Sequence, residues 1–252
     1  MRFASLGSGS RGNATVFQQD DTTILVDCGF SIRETERRMA RLGLAATQLD
    51  AILVTHEHSD HCSGVGPLSR RFQIPVYMTH GTESSGRCGE VYAVHHFHSE
   101  APFPVGSIGV MPITVPHDAR EPCQFVFSSG SARVGLLTDL GSITPLVVEH
   151  YEDCHALLLE FNHDADMLAE GPYPAALKRR IGGERGHLSN RQAARLLTQL
   201  GGDSLRRLVI AHISAKNNER GRVLAALETV YTRIDELVWA DQEAGCAWQE
   251  LA

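Results

Sequence analysis

No run of 18 or more apolar residues occurs anywhere in the 252-residue chain, so it offers no candidate membrane span. No C-x-x-C pair occurs either. Cys28, Cys62, Cys88, Cys123, Cys154 and Cys246 lie far apart, which argues against a disulfide framework and against a thiolate zinc site. Scattered thiols suit a reducing cytoplasm, and the N-terminus shows no apolar leader core or cleavage site, so a cytoplasmic protein is expected. Repeats, low-complexity tracts and long linkers are missing, and a single domain over residues 1–252 is expected. Positive charge is also in deficit. A formal net charge of −7 disfavours non-specific nucleic-acid binding, and the local clusters Lys178-Arg179-Arg180 and Arg206-Arg207 read first as solvated helix faces.

What the chain does have is 13 histidines, many of them beside Asp or Gly in turn-like sequence. β-branched and apolar runs between Gly/Asp punctuation predict strands over Arg2–Leu6, Ala14–Gln18, Thr23–Val26 and Ala51–Val54. Further strands are predicted over Val76–Thr79, Ile108–Val115, Gln124–Phe127, Arg133–Thr138, Ala156–Glu160 and Leu208–Ala211. Helical periodicity and caps predict helices over Ser31–Arg41, Gly64–Arg71, Ser142–His150, Tyr173–Ile181, Ser189–Leu200 and Glu219–Val230. Strands early and centrally, with helices interspersed, imply sheets covered by helices on their outer faces.

The strand Ala51–Val54 empties directly into Thr55-His56-Glu57-His58-Ser59-Asp60-His61. In extended backbone His56 and His58 point to one side, and a turn after Ser59 brings Asp60 and His61 back towards it. Imidazole suits Zn, Fe, Mn or Ni, and a nearby carboxylate favours a pair of ions over one closed structural site. Three other predicted strands each deliver one ligand-type residue into a loop: His117 after Val115, Asp139 after Thr138, and His212 after Ala211.

The order Asp27, H-x-H-x-D-H, His117, Asp139, His212 resembles the five-motif pattern of the metallo-β-lactamase superfamily, over essentially the whole chain. The resemblance implies an α/β fold, the four-layer αββα metallo-β-lactamase sandwich, holding two divalent ions (Zn or Mn). It implies one site from His56, His58 and His117, a second from Asp60, His61 and His212, and Asp139 between them. Asp27 is then expected to orient a ligand histidine rather than to ligate.

Within the superfamily, the second histidine of the hexapeptide disfavours a flavodiiron-type oxidoreductase. Asp139, with no export leader, disfavours a true β-lactamase. The short stretch after His212 leaves little room for the helical region of a glyoxalase-II-like thioesterase. Leu6-Gly7-Ser8-Gly9-Ser10-Arg11-Gly12-Asn13, Phe161-Asn162-His163, Gly186-His187-Leu188-Ser189-Asn190 and His212-Ile213-Ser214-Ala215-Lys216-Asn217-Asn218 are similar to the small single-domain YycJ/WalJ-like group. That likeness implies a DNA 5′→3′ exonuclease, with DNA as its partner; the alternative is a small-molecule phosphodiesterase.

Ser8, Ser10 and Asn13 are candidate phosphate contacts, since Gly/Ser loops offer N–H and hydroxyl donors; a tight β-turn is the competing reading. Ser214 and Asn217 follow His212 closely enough to reach a phosphate, although an Asn-capped helix start fits equally. His187 precedes an N-cap-like Ser189, where a proton donor or an anion contact makes sense. His163 invites the same reading. Asp60 is expected to orient the nucleophile and His187 to protonate the leaving oxygen or clamp the phosphate.

Overall fold

The computed structural model describes residues 1–201, 204–228, 230 and 234–251. The chain divides into two compact units, Met1–Thr114 with Ala119–Ala132 and Ala240–Ala252, and Val115–Asp118 with Arg133–Trp239. In chain order the first unit carries β1 (Arg2–Gly7), β2 (Ala14–Gln19), β3 (Thr22–Val26), α1 (Ile32–Arg41), β4 (Ala51–Leu53), α2 (Ser59–Cys62) and α3 (Val65–Phe72). It continues with β5 (Val76–Met78), α4 (His80–Ser84), β6 (Val94–His96), β7 (Phe103–Val105), β8 (Ile108–Thr114) and β9 (Cys123–Ser129). The second unit carries β10 (Ala132–Leu137), α5 (Pro145–Tyr151), β11 (Ala156–Glu160), α6 (Ala165–Glu170), α7 (Ala175–Ile181) and α8 (Asn190–Leu200), then β12 (Arg207–Ala211), α9 (Arg220–Leu227) and β13 (Glu236–Trp239). A last strand, β14 (Gln249–Glu250), belongs to the first unit.

In the first unit a seven-stranded sheet runs in the order β14-β1-β2-β3-β4-β5-β6. β1 to β3 form an antiparallel meander, and β3 to β6 run parallel. β7, β8 and β9 form a second antiparallel meander. Phe17 of β2 stacks on Phe127 of β9 at 3.8 Å and on Phe3 at 5.8 Å, so the apolar centre of this unit is partly aromatic. In the second unit β10, β11, β12 and β13 are all parallel. Its strand Ala156–Glu160 is buried along its whole length, the mark of a central parallel strand covered on both faces.

Helix ends follow local chemistry. Ser31 caps α1 by accepting from Glu34 N and Ser189 caps α8, both as the sequence predicts, and Gln192 completes a capping box with Ser189. The helix expected from Ser142 starts instead at Pro145. Thr144 caps it by accepting from Val147 N, and a proline is favoured in the first turn, where its missing N–H costs nothing. The helix expected from Tyr173 likewise starts at Ala175, because the residue before Pro174 is held out of helical backbone. The expected helix Glu219–Val230 is seen over Arg220–Leu227, and Thr229 lies outside the described residues. β6 and β7, at three residues each, and the one-turn α2 are too short to show a period in sequence. Among the described residues no helix is long and apolar enough to cross a membrane.

Phe17 is fully buried between two aromatic neighbours. Phe17→Ala is therefore expected to lower stability by about 3–5 kcal/mol, read as a shift in the guanidinium unfolding midpoint at unchanged slope.

Candidate metal centre

In the first unit β3 and β4 are parallel neighbours, with Val26 opposite Leu53. Segments leaving the C-terminal ends of adjacent parallel strands emerge on one edge, which is where open α/β sheets gather functional groups. Asp27 follows β3, and Thr55 and His56 follow β4 after a single residue. Asp27 sits in left-handed backbone, at φ 59°, which a non-glycine residue adopts mainly where its surroundings over-determine it. Its main-chain N–H donates to Leu53 O at 2.8 Å. Its buried carboxylate receives Thr55 N on Oδ1 at 2.9 Å, and on Oδ2 both Thr55 Oγ1 and His61 Nδ1, each at 2.8 Å.

These bonds set the tautomers. A carboxylate only accepts, so His61 Nδ1 carries the proton and Nε2 the lone pair. Thr55 Oγ1 gives its hydrogen to Asp27 and accepts from His56 Nδ1 at 2.9 Å, so His56 also bears its lone pair on Nε2. That nitrogen lies 3.0 Å from His58 Nδ1. Asp60 Oδ2 lies 3.5 Å from His61 Nε2, and Asn13 Nδ2 reaches both, at 3.2 and 3.0 Å. The turn expected after Ser59 is α2, and main-chain bonds lace it down: Asn13 N donates to Asp60 O and Cys28 N to His61 O, each at 2.7 Å. Gly29 is needed there, since a Cβ would fall 1.8 Å from Asp60 O.

In the second unit β10, β11 and β12 are adjacent and parallel, and their C-terminal ends deliver Asp139, Glu160 and His212. Asp139 (φ 56°) and His212 (φ 49°) repeat the left-handed backbone of Asp27. Asp139 Oδ2 lies 3.2 Å from His212 Nδ1, while Asp139 Oδ1 lies 3.4 Å from His187 Nδ1 and 4.0 Å from His117 Nε2. His117 Nδ1 donates to Gly186 O at 3.0 Å, again leaving the lone pair on Nε2. Asp139, His187 and His212 each offer a ligand atom within 4.8 Å of the others.

Glu160 escaped sequence reasoning. It ends an apolar buried strand, is fully buried itself, and accepts from Leu140 N at 2.6 Å and Leu188 N at 3.2 Å. Its other oxygen holds His187 Nδ1 at 3.0 Å, which turns His187 Nε2 away from the carboxylate. The usable signal was an acid closing a Leu-rich strand just before Phe161-Asn162-His163. His187 itself stands just before the capped N-terminus of α8, as expected.

The expected phosphate contacts divide. Ser10 is exposed. Ser8 and Asn13 are buried: Ser8 Oγ donates to Asn13 Oδ1 at 3.4 Å and Gly9 N to the same oxygen at 2.8 Å, so that oxygen serves its own turn while Asn13 Nδ2 faces Asp60 and His61. Ser214 is half-buried and accepts from Asn217 N at 3.2 Å. Asn217 is fully buried, with no surface from which to touch a substrate. His163 is buried too, and burial pushes its imidazole down to about 4.

Imidazole lone pairs set by carboxylate, hydroxyl and carbonyl acceptors on the far ring nitrogen, with carboxylates beside them, are a donor set that fits divalent transition ions. The comparisons agree. The beta-lactamase superfamily domain model matches residues 22–213, and the chain belongs to that superfamily. It is 34% identical over 230 residues to the exodeoxyribonuclease YycJ of Bacillus anthracis, covering 86% of this chain and 84% of that one. It is 32% identical over 250 residues to the exodeoxyribonuclease WalJ of Streptococcus pneumoniae, covering 97% and 91%. Among solved structures, the metallo-β-lactamase fold protein YhfI of Bacillus subtilis matches with a TM-score of 0.77 at 19% identity, over 99% of each chain. The α/β metallo-β-lactamase fold class expected from sequence is thus the fold of this chain, which is a YycJ-like hydrolase; divalent-metal binding goes with the fold.

Asp27→Asn should weaken metal binding about 10- to 100-fold, read by competition with a chromophoric chelator. For His163 the ordinary value is about 6.5, so as pH falls from about 6.5 to 4 the unfolded chain binds a proton that the folded chain does not. The stability from keeping His163 neutral is present above that window and is lost through it. His163→Gln should flatten the acid limb of stability against pH, measured by denaturant unfolding of both proteins at a series of pH values.

Proposed function

We propose that the chain is a two-ion, metal-dependent DNA 5′→3′ exonuclease. The observation that carries this reading is the near full-length likeness to two proteins named exodeoxyribonuclease, on a chain whose units each present imidazoles with preset tautomers. Residues 1–252 would serve as a single hydrolase domain. His56, His58 and His117 would be ligands to one ion and Asp60, His61 and His212 to the other, with Asp139 as a further ligand. When bound, the ions, zinc or manganese, supply Lewis acidity that makes a water nucleophilic near neutral pH and absorbs charge on the phosphate oxygens.

The chain's own residues supply the rest. Asp60, steadied by Asn13 Nδ2 at 3.2 Å, orients the attacking water while serving as a ligand. His187, held by Glu160, delivers a proton to the leaving oxygen from Nε2. Ser10 and Ser214 are the phosphate contacts, with Ser8, Asn13 and Asn217 shaping the turns that present them. Exposed Arg179 on α7 adds positive charge for a polyanionic strand. A cytoplasmic reaction is part of the proposal, a reducing compartment being one that free, buried cysteines suit.

The test incubates purified protein with 5′-phosphorylated single- and double-stranded DNA and manganese or zinc, beside Asp60→Ala and His187→Ala. Wild type is expected to release nucleotides stepwise from the 5′ end. His187→Ala should be slower by about 10²–10⁴-fold, and Asp60→Ala should lose turnover with a near-unchanged melting temperature. Release from the 3′ end refutes the polarity. Turnover of a simple phosphodiester with no release from DNA replaces the reading by the small-molecule enzyme, which the net charge of −7 favours.

A further inference from the structure

A second histidine cluster lies in the first unit, on residues with no part in the proposed chemistry. β5 and β6 are parallel, with Met78 opposite His96, and β6 is the edge strand of its sheet. The chain turns from β5 straight into α4, so His80 comes to rest beside His96, their rings stacked at 3.8 Å and 24°. Glu83 is three residues along α4, on the same helical face as His80. Its Oε2 lies 2.7 Å from His96 Nε2. Side chains alternate along extended backbone, so His98 returns to the side of His96 while Phe97 between them is buried; the His98 ring is 6.1 Å from that of His80. All four polar residues are exposed.

The backbone beneath the cluster is firmly placed. Thr79 caps α4 by accepting from Thr82 N, and Thr79 Oγ1 donates to Glu121 O at 3.1 Å. Gly81 N donates to Glu121 Oε2 at 2.6 Å, and a Cβ on Gly81 would strike Glu121 at 2.4 Å. Two imidazoles and a carboxylate thus project from a fixed platform, with one ligand atom from each within 4.8 Å of the others. Zinc bonds of about 2.0–2.1 Å need the donor atoms somewhat closer than that, and all three side chains are exposed and can rotate towards an ion.

We propose that His80, Glu83 and His96 form a peripheral site for a borderline transition cation, zinc, nickel or copper(II), with His98 as the neighbouring fourth group. Two imidazole nitrogens and one carboxylate oxygen select such ions over magnesium or calcium, which take all-oxygen shells. The cation bridges α4 to β6, tying down an edge strand of only three residues. The site is independent of the proposed exonuclease reaction.

The experiment compares the full-length wild-type protein with a His80→Ala/His96→Ala double variant, both equilibrated with free zinc buffered in the micromolar range. Zinc per chain is then measured by mass spectrometry after rapid desalting. Wild type is expected to carry one more equivalent than the variant, and added zinc to raise the melting temperature of wild type more than that of the variant. Because the double variant retains the residues proposed for catalysis, the difference isolates the peripheral ion whatever the reaction is. Equal zinc content in the two proteins overturns the proposal. So does loss of the extra equivalent from wild type when magnesium is added in excess.

Discussion

A carboxylate taken almost wholly out of water must recover its lost solvation from protein donors. Asp27 does so with three bonds, and each one constrains something else. The Thr55 N–H bond sets where the chain leaves β4. The Thr55 hydroxyl bond passes through that oxygen to fix the ring of His56. The third fixes His61 directly. One buried charge therefore decides which nitrogen two imidazoles present, and the left-handed backbone at Asp27 is the local cost of placing it there. Without the charge, rings and loop would each have several arrangements.

The second unit solves the same problem with different parts. Glu160 is its buried anion, stabilised by Leu140 N and Leu188 N, and its ward is His187. A main-chain carbonyl, Gly186 O, does for His117 what Asp27 does for His61. In both units the governing residues leave the C-terminal ends of adjacent parallel strands. Precision of the side chains comes from the sheets, and the loops are held by bonds back onto them.

Features whose partners are close in sequence were legible. The H-x-H-x-D-H segment declares its chemistry within six residues, and the α8 cap is written in Ser189. β11 shows as an unbroken apolar run. Long-range features were not legible. Glu160 and His187 are 27 residues apart, so nothing local marked the acid as a partner. Asn13 looked like a phosphate contact because its loop is rich in Gly and Ser. Its inward direction depends on Asp60 and His61, and on Gln242, whose side chain accepts from Arg11 N and donates to Gly12 O. The pairing of His80 with His96 is likewise a product of strand register, invisible until β5 and β6 are aligned.

The sheet of the first unit is closed by the chain's final described strand. β14 pairs with β1, Phe3 against Gln249, and Cys246 N donates to Ser5 O at 2.9 Å. During synthesis β1 therefore leaves the ribosome long before its outer neighbour exists. With about 240 residues between the two strands, made at about 5–20 residues per second, β1 waits on the order of tens of seconds with an open hydrogen-bonding edge. Until β14 is made that edge of β1 has no outer strand, and chains that stop short of β14 leave it permanently available for pairing with other strands.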